Sequence, residues 1–182
     1  TIQESLDAFK ELAEEAKDLH MTLSLPCAFG SPFGDEVPVD RLKWLIEEAE
    51  KVGVEEIGVA DTAGISNPAN TRRVLEAIKN YTDISKVTLH MHDTYGMGIA
   101  NAYVGLEEGV TMLESSLAGM GGCPFVPGAK GNIATEDLLY MLHDMGIDTG
   151  YDLTQVNQVA VEMAEEIQAD VVSCQGAVCK HR

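Results

Sequence analysis

Four runs rich in β-forming residues, at 20–26, 56–60, 86–92 and 110–116, recur along the chain with helix-patterned segments between them. The helical period is clear at 2–19, where Leu6, Phe9, Leu12, Ala13, Ala16 and Leu19 recur on one face, and it returns at 38–52, 68–80, 97–108, 135–145 and 154–168. Strands that alternate with crossover helices re-enter the sheet from the same end each time. The sheet must therefore be parallel. Local punctuation agrees: Gly53, Gly109 and Gly146 stand just past three of the helices, and Asn67 followed by Pro68 opens another.

Two parallel architectures compete, an open doubly wound sheet and a closed (β/α)8 barrel. No GxGxxG follows any strand. Chemically capable side chains stand instead after every strand: Cys27, Asp61, His90 with His92, and residues 115–123. Such convergence at all the strand C-terminal ends is the barrel pattern. The expected fold is α/β of the (β/α)8 TIM-barrel type, with about the second half of the barrel, four parallel strands with their helices, in this stretch. Residues 1–153 read as the C-terminal part of such a domain and 154–182 as its terminal helix and tail.

A chain of 182 residues that is 45% hydrophobic can bury a core of this kind. The formal charge of -18 repels nucleic acid and anionic membranes, so neither is expected as a partner, and an anionic ligand must meet a local positive centre. No apolar run approaches the roughly 20 residues of a membrane span, and the opening residues lack the pattern of a signal peptide. A cytoplasmic protein is expected. Cys27, Cys123, Cys174 and Cys179 show no CxxC spacing, which argues for reduced thiols over structural zinc or a disulfide framework.

The stretch 90–132 concentrates the chemistry. His90 and His92 are two apart on a strand and so share a face, where neutral imidazoles can take adjacent positions on one divalent metal. Asn132 offers a hard amide oxygen suited to Mg2+ or Mn2+, or else caps the helix that follows. Cys123, in the loop GMGGCPFVPGAKG at 119–131, can act as a general acid, a nucleophile or an apolar filler. Asp61 can serve as base, ligand or cap. Asp93 points to the opposite face and reads as structural, and Lys130 reads as solvated, though it could meet an anionic ligand.

The segments HMHDTYGMGIAN at 90–101, SSLAGMGGCPFVPGAKGNIATEDLLYML at 115–142 and GIDTGYDL at 146–153 closely resemble 3-hydroxy-3-methylglutaryl-coenzyme A lyases. The likeness extends through IGVADTAGISNP at 57–68 and SLPCAFGSPF at 24–33. It implies a TIM-barrel metallolyase with an acyl-coenzyme A substrate, working as a homo-oligomer, a dimer. By the same resemblance His90, His92 and Asn132 match metal-binding positions for Mg2+ or Mn2+, Cys123 the catalytic loop cysteine, and Asp61 an acidic site residue. The related condensing enzymes carry a loop like GERAGN, where Gly121, Gly122, Cys123 and Pro124 stand here, which favours cleavage.

One departure matters. Family members open the first barrel strand with Arg-Asp-Gly, which supplies a further metal-binding aspartate and an arginine for the substrate carbonyl, and no such motif occurs in these residues. The stretch alone is therefore expected to be inactive. A lyase or condensing enzyme acting on another 3-hydroxyacyl thioester, or an inactive interaction subunit, are the rival readings. The tail at 171–182 reads as disordered, although its cysteines resemble a redox-sensitive tail cysteine of some family members.

Overall fold

In chain order the elements are α1 (Ile2–Glu15), β1 (Thr22–Leu25), α2 (Val39–Glu50), β2 (Glu56–Asp61), α3 (Pro68–Ile78), β3 (Val87–Met91), α4 (Gly98–Glu107), β4 (Met112–Glu114), α5 (Thr135–Asp144), α6 (Leu153–Glu166) and α7 (Cys174–Cys179). The structure is a computed structural model that describes residues 1–122, 126 and 128–179. Thr22 pairs with Glu56, Ile57 with Val87 and Thr88 with Met112, all in parallel. The order β1-β2-β3-β4 never reverses. A doubly wound sheet would reverse at a switch point, so the single direction of winding belongs to a barrel wall.

Helices α2, α3 and α4 lie on one side of this wall, where their apolar stripes meet the strands. Leu42, Ile46 and Ala49 of α2 and Val74, Leu75 and Ile78 of α3 pack onto Ile57, Val59, Leu89 and Met91 of the strands. Full burial of each large aliphatic side chain contributes about 1.5–3 kcal/mol. The alternate strand residues face the other way, and several are polar: Glu56 accepts a hydrogen bond from the Thr88 hydroxyl across the strands. Among the described residues no helix is long and apolar enough to cross a membrane.

The local signals read from the sequence set most boundaries. Asn67 caps α3 by accepting the Asn70 N–H, with Pro68 in its first turn, and Gly53, Gly109 and Gly146 adopt positive φ past α2, α4 and α5. Two expectations fail. The helix at 2–19 stops at Glu15, and Leu12 and Leu19 are 62% and 69% exposed, because of its stripe only Leu6 and Ala13 are buried, with Phe9 half-buried against the core. The tail is not disordered through 179: it forms α7, whose first amides, on Cys174 and Gln175, are accepted by Asp137 of α5.

Candidate active site

β3 delivers His90 at its C-terminal end, where strand register sets it directly opposite Glu114 of β4 and Ala60 of β2. Neighbouring strands lie about 4.7–4.9 Å apart, so side chains in register on one face are within reach of a hydrogen bond. Glu114 Oε2 accordingly lies 2.7 Å from His90 Nδ1. His92 follows just past the strand, buried, with Nδ1 2.8 Å from the Thr62 carbonyl at the end of β2. In each ring Nδ1 faces an acceptor, so Nδ1 carries the proton and Nε2 presents a lone pair.

Those two Nε2 atoms lie 3.1 Å apart. Two lone pairs at that separation repel unless a cation or a proton lies between them. An octahedral ion with bonds of roughly 2.1 Å puts adjacent ligand atoms about 3 Å apart, which is the spacing found. Burial, and then the neighbouring His90, push the pKa of His92 below the usual histidine value. Both favour the neutral imidazole, the form able to offer Nε2 to a cation.

Asn132 arrives from a different direction. Past the end of β3 the chain segment that carries it runs antiparallel to His92, tied by Ile133 N–H donating to the Met91 carbonyl and Asp93 N–H donating to the Gly131 carbonyl. Gly131 has φ +87, and any Cβ there would collide with the Gly121 carbonyl, so two glycines let the ends of the loop touch. The Asn132 amide nitrogen donates to the Met120 carbonyl at 2.9 Å, which fixes the amide and leaves Oδ1 as its acceptor. The capping alternative fails: the residue before α5 is Ala134, with no side-chain cap.

His90 and Asn132 line one open cavity of about 810 Å³, together with Glu114, Ser115, Tyr151 and Gln155. Two imidazole nitrogens and an amide oxygen suit a divalent ion that accepts mixed nitrogen and hard oxygen ligands. Among the described residues no three His, Cys, Asp or Glu side chains cluster in metal-holding geometry, so an ion bound here would need the amide oxygen as well.

The remaining candidates separate. Asp61 is in register with Met91 and so falls on the helix side of the sheet, away from His90. It is fully buried, and its carboxyl oxygens accept N–H groups of Ile65 at 3.1 Å and Ser66 at 2.9 Å. Burial raises its pKa, against the pull of those amides and of nearby His92. Asp93 accepts the Gly98 N–H at the start of α4 and is structural, as expected. Lys130 is exposed. Cys123 lies outside the described residues.

Two orienting groups were not read from the sequence. Glu114 belongs to no motif in the sequence, and only the β3–β4 register reveals that it faces His90. The Thr62 carbonyl carries no side-chain signal at all, although the Thr62 hydroxyl also accepts the Cys27 N–H at 2.8 Å and so ties β1 to the same place.

A protein-family model described as HMGL-like matches residues 1–162. The chain is 37% identical over 169 residues to hydroxymethylglutaryl-CoA lyase of Pseudomonas mevalonii, covering 92% of this chain and 56% of that protein. It is 36% identical over 155 residues to a Pseudomonas aeruginosa protein named 3-hydroxy-3-isohexenylglutaryl-CoA/hydroxy-methylglutaryl-CoA lyase, covering 84% of this chain and 52% of the relative. The crystal structure of hydroxymethylglutaryl-CoA lyase from Pseudomonas aeruginosa superposes with a TM-score of 0.94 at 31% identity, over 100% of this chain and 62% of that one. The chain thus spans about half the length of the curated relatives it matches.

Proposed function

The chain belongs to the HMGL-like family, and from that membership we propose that the whole protein is a divalent-metal-dependent carbon–carbon lyase acting on 3-hydroxy-3-methylglutaryl-coenzyme A. The observation that carries the metal reading is the pair of facing Nε2 atoms, 3.1 Å apart, with both Nδ1 atoms already engaged. His90, His92 and Asn132 hold the ion, Mg2+ or Mn2+. When bound, it supplies Lewis-acid polarisation to the hydroxyl and carboxylate oxygens of the substrate.

Retro-Claisen cleavage then needs one proton removed and one delivered. The tertiary hydroxyl loses its proton, the carbon–carbon bond breaks, and the electron pair leaves on the acetyl-coenzyme A enolate, with acetoacetate as the other product. Asp61 is assigned to the first transfer. Because its carboxyl is closed off by the Ile65 and Ser66 amides, that role requires the turn at 62–66 to open or a water to relay the proton. Cys123 is assigned to protonate the enolate carbon, on its sequence motif alone. Glu114 and Thr62 act on the imidazoles rather than on substrate: each fixes a ring by accepting its Nδ1–H.

A second reading keeps the chemistry and changes the acyl chain. It rests on the Pseudomonas aeruginosa relative, whose name includes a 3-hydroxy-3-isohexenylglutaryl thioester. The test is acetyl-coenzyme A release by the whole protein, with Mg2+ or Mn2+, from the methyl and the isohexenyl thioester in parallel. Release from the methyl substrate, abolished by chelator, is the expected result; release from neither thioester overturns the lyase reading.

A further inference from the structure

Three consecutive residues at the start of α5 hold two separate segments, the turn after β4 and the tail. The Thr135 hydroxyl meets that of Ser115 at 2.9 Å. Glu136, fully buried, accepts the Ala118 N–H at 3.0 Å on Oε2 and the Ser173 hydroxyl on Oε1. Asp137 accepts the Cys174 and Gln175 amides at 2.9 and 2.8 Å and so caps α7 from outside the helix. Ser173 in turn accepts the Gly176 N–H at 3.1 Å.

The middle connection reaches the site. Ala118 has φ 56, a left-handed backbone that a side chain disfavours, and its N–H is fixed by Glu136. Two residues on, the Met120 carbonyl holds the Asn132 amide. The tail also presses on this turn directly: a Cβ on Gly119 would lie 2.9 Å from Val172 Cγ2. Gly176 lacks a Cβ where one would strike Val171 and Ser173, which lets α7 sit close against Glu136.

We propose that the segment from Ser173 through α7 is a positioning strut for the site, with Glu136 passing its hold to the turn at 116–120 and so to Asn132. Ser173 is a positioning residue: removing its hydroxyl leaves Glu136 with an unpaired buried oxygen, and the carboxyl must move toward another donor. The inference rests on the reading of Asn132 as a metal ligand, but its first readout does not.

The test uses the whole protein and the variants Ser173→Ala, Ser173→Thr and Asp137→Asn. Hydrogen exchange at the Ala118 amide is expected to speed up by roughly tenfold in Ser173→Ala, as when one hydrogen bond loses its support. Ser173→Thr, which keeps the hydroxyl, restores the slow rate. Mn2+ affinity falls by about tenfold in Ser173→Ala, and kcat falls while KM stays within about twofold. Asp137→Asn shows the same pattern more weakly and carries the test if Ser173→Ala does not fold. Wild-type exchange at Ala118 in the folded variants overturns the strut. Accelerated exchange with no thioester cleavage by the wild-type protein leaves the strut standing and removes the lyase reading instead.

Discussion

On the helix side of the sheet Ile57, Val59, Leu89 and Met91 are each at most 1% exposed and belong to one apolar cluster with residues of the helices. One residue along each strand, on the other side, Glu56 bonds Thr88 and Glu114 bonds His90. A change on the first side leaves a void inside a closed layer, so its effect is read as stability. A change on the second removes a partner from an open, hydrogen-bonded surface, so its effect is read as chemistry. The contrast teaches that register, by assigning each residue within the paired strands to a side, sets the usual kind of consequence, with Asp61 at the very end of β2 the exception that the proposed proton transfer requires.

His92→Ala breaks this comparison most severely if it behaves like a core residue. The expected outcome is turnover at background in the whole protein, with a thermal unfolding midpoint close to wild type; a protein that is active and merely less stable would move His92 out of the site. Ile57→Ala is the converse. It should cost about 2–5 kcal/mol in denaturant unfolding while Mn2+ affinity stays put.

Glu114→Gln sharpens the polar side. Losing the carboxylate behind His90 should weaken Mn2+ binding by about 10–100-fold, measured by titration of the apoprotein, with little change in stability. The smallest effect lies far from the site. The Lys10 and Lys51 ammonium groups beside Glu48 hold its carboxyl at about 2, below the ordinary 4.5. Its folded pKa is depressed, so this stabilisation is present above pH 4.5 and is lost as the pH falls from there toward about 2. Glu48→Gln should flatten the dependence of the unfolding midpoint on pH in that window and lower the midpoint slightly at neutral pH, where the wild-type pairing is fully present.

The fold was legible because its signals are local and repeated. Gly53, Gly109, Gly146 and Asn67 each mark a helix end by a single residue's backbone preference. The polar residues after every strand then separated a barrel wall from an open sheet. The in-phase histidines were legible for the same reason, since a period of two needs no knowledge of the rest of the chain.

What escaped depends on contacts between distant segments. α7 has six residues and no apolar period, and Asp137, far back in the sequence, caps its start. Glu114 gained its meaning only from pairing with β3, and Asp61 lost its open surface only because the turn behind it folds back to bond its carboxyl. The exposed Leu12 and Leu19 show the same limit: a helical stripe states what could be buried, and the surface it meets decides how much is.

The central claim is that the facing imidazoles are ligands to one divalent ion. The most direct measurement is electron spin echo modulation of Mn2+ bound to the whole protein with 15N-labelled histidine. The account predicts coupling to two imidazole nitrogens, with His90→Ala and His92→Ala each removing one. Tight Mn2+ binding without histidine nitrogen coupling would contradict it.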